Sequence, residues 1–268
     1  MVGRTAGLPA TIRTLSRDLR ELGVVPGSTV MVHSSLSALG WVVGGAEGVV
    51  LALEDALGEE GTLMMPAYSL NAPEPARWVR PPVPEPWWQV IRDEGPPFDP
   101  DLSPTRRLGA VAETFRHQRG CERSGHPNDS FCARGPNARR LLENHRLDSA
   151  MGEDSPLARL YEMDGAVLLL GVDHSSNSSF HLAEYRARWP GKRLAPPTRF
   201  RVGRDGARKE VEVQDLDLDS DDFGRLGGDL EAETTVVRIG PVAQGLGRLM
   251  RQRAAVDFAV RWIEAHRS

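Results

Sequence analysis

Long apolar runs, paired cysteines and an excess of basic residues are all missing from this chain of 268 residues. No apolar run approaches the roughly 18 residues of a membrane span, and the N-terminus lacks the apolar core of a signal peptide. The cysteines, Cys121 and Cys132, fit neither a CxxC motif nor a metal spacing. A net charge of -4 argues against binding to nucleic acid. We therefore expect a cytoplasmic protein with no disulfide framework, no membrane segment and no nucleic-acid partner.

The motifs of several enzyme classes are missing as well. There is no GxSxG elbow of an α/β-hydrolase, no HExxH and no Walker loop. The histidines are scattered without a metal spacing, so no metal is expected. The acidic run "DLDLDSDD", residues 215–222, resembles a calcium loop, but Ser220 and Leu226 stand where glycine and glutamate are required.

What the sequence does contain is an alternation of helical and strand patterns. Ile12, Leu15, Leu19 and Leu22 have helical spacing, which Gly23 ends. Strands are expected near 28–33, at 61–69 and, as a central apolar strand, at 166–171; helices are expected at 46–57, 108–118, 136–145, 155–163 and 179–188, an antiparallel pair at 197–202 and 209–214, and a mostly helical tail at 244–268. This order predicts a single α/β domain over 1–268, with a largely parallel central sheet flanked by helices and a smaller antiparallel portion.

Residues 71–97 break this alternation. The stretch holds eight prolines and the pair Trp87–Trp88. Proline interrupts both helices and sheet ladders, and we expect the tryptophans to be buried. The sequence therefore predicts a long excursion on one rim of the domain, either with a role in function or as a surface insertion without one.

Polar residues follow the predicted strand at 166–171. Asn177, Ser178 and Ser179 are suitable helix N-caps, which would place His181 in the first turn of the next helix. Glu184 comes three residues later, on the same face. A histidine at a strand edge with a carboxylate in reach can act as a general base. The alternative is a capping run followed by a partly buried structural histidine.

Two more polar clusters argue against capping alone. "VMVHSSL" ends a strand in His33, Ser34 and Ser35, and "ERSGHPNDSF" groups Arg123, Ser124, His126 and Ser130. Open α/β sheets bind ligands where their strands end. Three polar clusters in one such domain therefore predict a binding or catalytic cleft, although His126 can also be structural and Ser34 and Ser35 can also be caps.

Five segments occur in an order that resembles a known family: "VHSSLSALG", "GTLMMPAYS", "FDPDLSPTRRLGAVAETFR", "RSGHPNDSFCARGP" and "LLLGVDHSSNSSFHLAE". They resemble the aminoglycoside 3-N-acetyltransferases, the antibiotic N-acetyltransferases that differ in fold and motifs from the GNAT enzymes. The likeness covers about residues 10–265. It implies the fold of that family, acetyl-coenzyme A as cosubstrate and acetylation of the 3-amino group of the deoxystreptamine ring of aminoglycoside antibiotics, which gives resistance.

The resemblance also implies roles for individual residues. His181 matches the catalytic base, with Glu184 beside it. Matching the coenzyme A site are His33, Ser34, Ser35, Leu36, Thr105, Leu108, Gly109, Ala110 and Val111, with Arg123 as a phosphate contact. Tyr68, Asp217 and Asp219 are expected at the cationic antibiotic, with Asp215 as an alternate. In an extended segment the spacing of these aspartates would place all three on one side, unless the run is only a solvated edge.

Several alternatives stay open at this level. Glu184, Asp217 and Asp219 are all candidates to orient His181. No cysteine lies in a catalytic motif, so we expect the amine to attack the thioester directly. The acceptor can be a non-antibiotic amine, such as a biosynthetic intermediate, and an inactive module that binds acetyl-coenzyme A or a polyamine is a further possibility. The chain is expected to be a monomer or a homodimer.

Overall fold

The computed structural model describes residues 5, 7–69, 75, 82–203 and 209–268. Its α-helices are α1 (Ile12–Leu22), α2 (Gly45–Leu57), α3 (Trp88–Glu94), α4 (Gly109–Arg116), α5 (Ala138–Leu142), α6 (Pro156–Glu162), α7 (Ser179–Arg186), α8 (Phe223–Glu233) and α9 (Gln252–His266). Its strands are β1 (Thr29–Ser34), β2 (Thr62–Pro66), β3 (Glu122–Arg123), β4 (Phe131–Arg134), β5 (Ala166–Leu170), β6 (Thr198–Val202), β7 (Lys209–Val213), β8 (Val237–Val242) and β9 (Gly245–Arg251).

Within the described residues, seven strands form the central sheet in the order β3-β4-β2-β1-β5-β9-β8. β1 is parallel to both β2 and β5, and the other neighbours are antiparallel. The predicted α/β fold is confirmed, but parallel pairing is confined to the three central strands and is less extensive than predicted. At one edge, β8 and β9 pair antiparallel because the connection between them is short. Two parallel strands would need a much longer crossover.

Helices cover both faces of the sheet. Met31 and Leu169 pack on one face against α5, α6, α7, α8 and α9. Val30 and Leu168, their neighbours in sequence, pack on the other face against α1, α2 and α4. Every residue of β5 is buried. A strand that is covered on both faces has a continuous apolar sequence, which is why the most apolar run in the chain lies inside the sheet as predicted.

The bounds of the first helix, α1, follow from the local sequence alone. The side chain of Thr11 accepts a hydrogen bond from the N–H of Thr14 at 3.2 Å and caps α1. Gly23 ends the helix with a φ of 113°, a left-handed conformation that glycine adopts without strain. None of the described helices is both long and apolar enough to cross a membrane.

The predicted mostly helical tail is wrong over its first part. Residues Gly245–Arg251 form β9, and the helix begins only at Gln252. Gly245 and Gly247 lower the helix propensity of this stretch. More important, β9 pairs with β5 on one side and with β8 on the other. The long-range hydrogen bonds to β5, together with the hairpin formed with β8, outweigh the local helical pattern.

The predicted antiparallel pair is confirmed as β6 and β7, with Thr198 opposite Val213. From residue 82 onward, the Pro/Trp excursion contains a 3-10 turn at Glu85–Trp87 and α3. Trp87 is 59% exposed, so its predicted burial is wrong. The indole N–H of Trp88 donates to the carbonyl of Val83 at 3.0 Å. Residues 71–74 and 76–81 of the excursion lie outside the described part of the chain.

Candidate active site

A cleft opens where β1 and β5 end. The two strands are parallel neighbours, so their carboxyl ends meet at one edge of the sheet. The N–H of Ser35 donates to the carbonyl of Leu170 at 2.9 Å and ties the following loops together. The cleft has a volume of about 640 Å³, and its lining includes His33, Ser34, Ser35, Leu36, Tyr68, Leu108, Gly109, Ala110, Ser178, His181, Ser220 and Phe223. Open α/β sheets bind their ligands at this position.

His181 and Glu184 form a close pair on one face of α7. Nδ1 of His181 lies 2.6 Å from Oε2 of Glu184. The carboxylate is fully buried, whereas 17% of the imidazole is exposed. The ring also packs on Phe223, with 4.8 Å between the ring centroids. Because Glu184 occupies Nδ1, the imidazole presents Nε2 for contact with a ligand, as a general base requires.

The second oxygen of Glu184 is bound from the opposite side. Oε1 lies 2.5 Å from Nη1 of Arg267 and accepts the N–H of Asp219 at 3.0 Å. Of the three carboxylates considered to orient His181, the structure places Glu184 against the imidazole. Asp217 ion-pairs with Arg193 at 2.9 Å, and Asp219 contributes its backbone rather than its carboxylate to Glu184.

His33 is the second histidine of the cleft. Its side chain is buried, and Nε2 has no hydrogen-bond partner among the described residues. Burial lowers the pKa of His33 to about 4, and the neighbouring His181 acts in the same direction. The imidazole of His33 is therefore neutral at physiological pH, which makes it a poor candidate for a cationic contact to phosphate.

Tyr68 lies at the end of the segment that follows β2 and faces the start of α7. Its hydroxyl donates to Oγ of Ser178 at 2.7 Å. Burial raises the pKa of Tyr68, so the phenol keeps its proton. The hydroxyl of Ser178 accepts this hydrogen bond and retains its own proton to donate elsewhere.

Leu108, Gly109 and Ala110 form another wall, at the start of α4. Gly109 has a φ of 79° and Arg107 one of 63°. Positive φ is rare for residues other than glycine. The start of α4 therefore lies on the wall of the cleft, and the start of a helix favours an anion.

Three of the residues expected at the coenzyme are not brought to this cleft. Val111 is in the core, because α4 turns it toward the sheet. The hydroxyl of Thr105 donates to Oε2 of Glu113 instead. The guanidinium of Arg123 donates to the carbonyls of Ser103 and Ala67, at 2.5 Å each, and to that of Pro100, and to Oγ of Ser130. Arg123 thus connects segments of the backbone.

The aspartates of the acidic run do not share one side. Asp215 accepts the hydroxyl of Tyr185 at 2.7 Å and the N–H of Ala150 at 2.8 Å. Asp217 turns to Arg193, and Asp219 accepts the N–H of Asp221 at 2.9 Å. The expected common face is wrong because residues 214–222 form no continuous strand, only an isolated bridge at Leu216.

Asp129 was not singled out from the sequence. Its carboxylate is 31% exposed, with Oδ2 3.6 Å from Nδ1 of His126. Burial raises the pKa of Asp129, while the nearby His126 and His181 oppose that effect. A partly exposed carboxylate of this kind can form a charge-assisted hydrogen bond with an ammonium group. Its position in "GHPNDSF" is the only signal that could have drawn attention to it.

Arg267 was missed for a different reason. It lies 83 positions beyond Glu184, and nothing in the surrounding sequence distinguishes it from other arginines of the tail. Among the described residues, no three His, Cys, Asp or Glu side chains are grouped so that they could hold a metal ion.

Comparison with known proteins connects this cleft to a family. The model of the aminoglycoside 3-N-acetyltransferase family matches residues 31–264. Aminoglycoside N(3)-acetyltransferase VIII from Streptomyces fradiae is 42% identical over 275 residues, which cover 97% of this chain and 94% of the relative.

Solved structures agree with this match. The YokD protein from Bacillus subtilis has a TM-score of 0.94 at 40% identity, covering 99% of this chain and 97% of YokD. The binary complex of AAC-IIIb with CoASH has a TM-score of 0.87 at 31% identity, covering 96% of this chain and 97% of AAC-IIIb.

Fold, sequence and structural relatives together define an enzyme of the acyltransferase class. Within that class, the chain belongs to the aminoglycoside 3-N-acetyltransferase family.

Proposed function

We propose that this enzyme transfers the acetyl group of acetyl-coenzyme A directly to the 3-amino group of the deoxystreptamine ring of an aminoglycoside antibiotic. The product is the N-acetylated antibiotic and free coenzyme A, and the host gains resistance to the drug. A cytoplasmic location is part of the same proposal. The observation that carries it is the contact of 2.6 Å between His181 and Glu184, at a cleft in a chain of this family.

His181 is the general base of this reaction. The amine nitrogen attacks the carbonyl carbon of the thioester, and Nε2 of His181 takes the proton that the nitrogen loses. Glu184 stabilises the resulting imidazolium through Nδ1, as the carboxylate of a catalytic triad does. The tetrahedral intermediate then breaks its C–S bond, and the leaving thiolate takes the proton from the imidazolium. Histidine is the side chain most often used for this proton transfer near neutral pH.

The coenzyme side of the cleft is supported by residues from two elements. Ser34 ends β1, Ser35 and Leu36 follow it, and Leu108–Ala110 span the start of α4. Hydroxyl groups and the peptide N–H groups of a helix start are suitable donors to phosphate oxygens. The bound CoASH belongs to AAC-IIIb, and its likeness to this chain supports the same cosubstrate here.

Ser178 is the proposed donor to the oxyanion of the tetrahedral intermediate. It lines the cleft, and its oxygen already accepts the hydroxyl proton of Tyr68 at 2.7 Å. Its own proton is therefore directed away from Tyr68. A donor held in advance at the point where negative charge develops lowers the barrier of acyl transfer.

The acceptor is a polycation, and carboxylates near His181 would attract it. Asp129 is the described carboxylate that we favour for this contact, because it is partly exposed and because His181 acts to lower its pKa. The roles of Asp217 and Asp219 at the antibiotic stay predictions.

A thiol-release assay with acetyl-coenzyme A and a panel of aminoglycosides tests the function, with mass spectrometry to locate the acetyl group. We expect turnover with products acetylated at the 3-amino group. His181→Asn serves as the matched inactive control. Robust turnover on other amines, with none on any aminoglycoside, would show that the natural acceptor is a different amine. Coenzyme binding without turnover on any amine would indicate an inactive module.

A further inference from the structure

Arg267 follows α9 and contacts the side of Glu184 that faces away from His181. Nη1 lies 2.5 Å from Oε1 of Glu184. Nε and Nη2 bind the carboxylate of Asp222 at 2.8 and 2.6 Å, and Nη2 also donates to the carbonyl of Asp219 at 2.8 Å. The side chain is only 11% exposed. Burial lowers the pKa of Arg267, but its bonds to Asp222 and Glu184 outweigh that effect and raise it, so the guanidinium is permanently charged.

Glu184 needs such a partner because its carboxylate is fully buried. A buried charge is costly unless it is paired. Among the described residues, Glu184 ion-pairs with two side chains, His181 and Arg267. The base must be unprotonated when the amine arrives, so the imidazole is then neutral. At that moment the charge of Glu184 depends on Arg267.

We propose that Arg267 is a positioning residue, which holds Glu184 ionised and turned toward His181 so that the imidazole is free to accept the proton of the substrate. This inference rests on the proposed role of His181 as base. It assigns to Arg267 a function in the reaction although the guanidinium does not itself contact the reacting atoms.

The electrostatic consequence follows from counting protons on the His181–Glu184 pair. Without Arg267, a single proton balances the buried negative charge, either on the imidazole or on the carboxylate. In the first form Nε2 is already protonated. In the second form the carboxyl donates to Nδ1, so the neutral imidazole carries its own proton on Nε2, and neither form can accept a proton from the amine. The two groups titrate together, so the measurable quantity is the apparent pKa of the pair. Loss of Arg267 raises that value, because an opposite charge close by favours the ionised, proton-free form of the carboxylate.

Other charged or titratable groups face the pair from the elements packed around it. His33 on β1 has its pKa lowered to about 4 and stays neutral. Asp129 precedes β4, and its pKa responds to His181. Lys192 follows α7, and the charge of Glu184 acts to raise its pKa, although burial lowers it overall. Its ammonium donates to the carbonyls of Tyr185 and Ala187. These groups are present in wild type and variants alike and shift both titrations equally.

The test compares Arg267→Met, Arg267→Gln and Arg267→Lys with the control Arg253→Met. Arg253 is on α9, and its Nη2 donates to the carbonyls of Tyr161 and Glu162 at 3.0 Å each. The His181 ring signals, assigned with His181→Asn, are followed by NMR against pH without substrates. We expect the apparent pKa to rise by about one unit or more in the Met and Gln variants, and to match wild type in the Lys and Arg253 variants.

The pH profile of kcat/KM supplies the second readout. In the Met and Gln variants, the midpoint of its acid limb is expected to shift to higher pH by the same amount as the apparent pKa. Activity should therefore recover at alkaline pH. Arg267→Gln keeps a hydrogen-bond donor and serves if the Met variant does not fold. A wild-type titration in either folded variant, or a loss of activity equal at every pH, would overturn the proposal. The titration needs no turnover, so a shifted value in a protein that acetylates nothing would reject the proposed function alone.

Discussion

The hydroxyl of Tyr68 donates a hydrogen bond of 2.7 Å to Oγ of Ser178. This bond joins the segment after β2 to the residue before α7, two parts of the chain that are 110 positions apart. It fixes the direction of the Ser178 hydroxyl at the cleft and links the proposed oxyanion donor to a phenol that stays protonated.

Replacing Ser178 is expected to lower kcat while leaving the KM for acetyl-coenzyme A almost unchanged. Removal of one oxyanion donor costs about 10²–10³ in kcat, so Ser178→Ala should fall in that range. Tyr68→Phe should cost less, because Ser178 keeps its proton. In the double variant the Tyr68 change should add little to Ser178→Ala, and full additivity of the two effects would show that these residues act independently.

Replacing His181 by alanine is expected to lower kcat by about 10²–10⁴, the usual range for a lost general base. Binding of acetyl-coenzyme A, measured by calorimetry, should barely change, because His181 acts on the amine. If His181→Ala kept a tenth of the wild-type kcat, His181 would not be the general base.

Asp129→Asn is expected to raise the KM for the aminoglycoside roughly ten- to a hundredfold, the equivalent of a lost charge-assisted hydrogen bond. The KM for acetyl-coenzyme A should stay the same. Asp217→Asn is the matched comparison, because Asp217 is already paired with Arg193 at 2.9 Å. Rising salt should reduce kcat/KM less in the Asp129 variant than in wild type. If the KM for the aminoglycoside rose only in Asp217→Asn, the contact with the antibiotic would be assigned to the acidic run instead of Asp129.

Acid is expected to destabilise the fold through His145. Nε2 of this buried histidine lies 2.7 Å from the carbonyl of Ala150, and Nδ1 lies 2.9 Å from Oγ of Ser124. Burial, aided by the neighbouring His126, lowers the pKa of His145 to about 3. Because the unfolded chain binds the proton near ~6.5, stability is full above that pH and is lost as pH falls toward 3, by at most about 1.4 kcal/mol per unit.

Urea unfolding at pH 7.5, 6 and 5 measures this dependence. His145→Gln removes the titrating group and keeps a donor for the carbonyl of Ala150, so its free energy of unfolding should fall less steeply between pH 6 and 5. Parallel curves for the two proteins would assign the acid sensitivity to other groups.

The strands and helices were largely predictable where local periodicity decides them. α1 has apolar residues at helical spacing between a capping threonine and a left-handed glycine. β9 was not predicted, because its ladder with β5 joins residues about 80 positions apart and helical spacing dominates the local pattern. The burial of Val111 and the exposure of Trp87 were not predicted either, because both depend on how other elements pack around these residues. A residue's type indicates that it can be buried, whereas the neighbouring elements determine whether it is.

What the sequence by itself determined is the α/β class, the buried strand β5 and the placement of His181 and Glu184 three residues apart on one face of a helix. Only the tertiary structure decided which carboxylate meets the imidazole, that Arg267 completes the pair, and that Arg123 binds backbone carbonyls instead of reaching the cleft. The physical reason is range. Helical geometry fixes contacts between residues three or four apart, but contacts across 83 positions exist only after the sheet and its helices have packed.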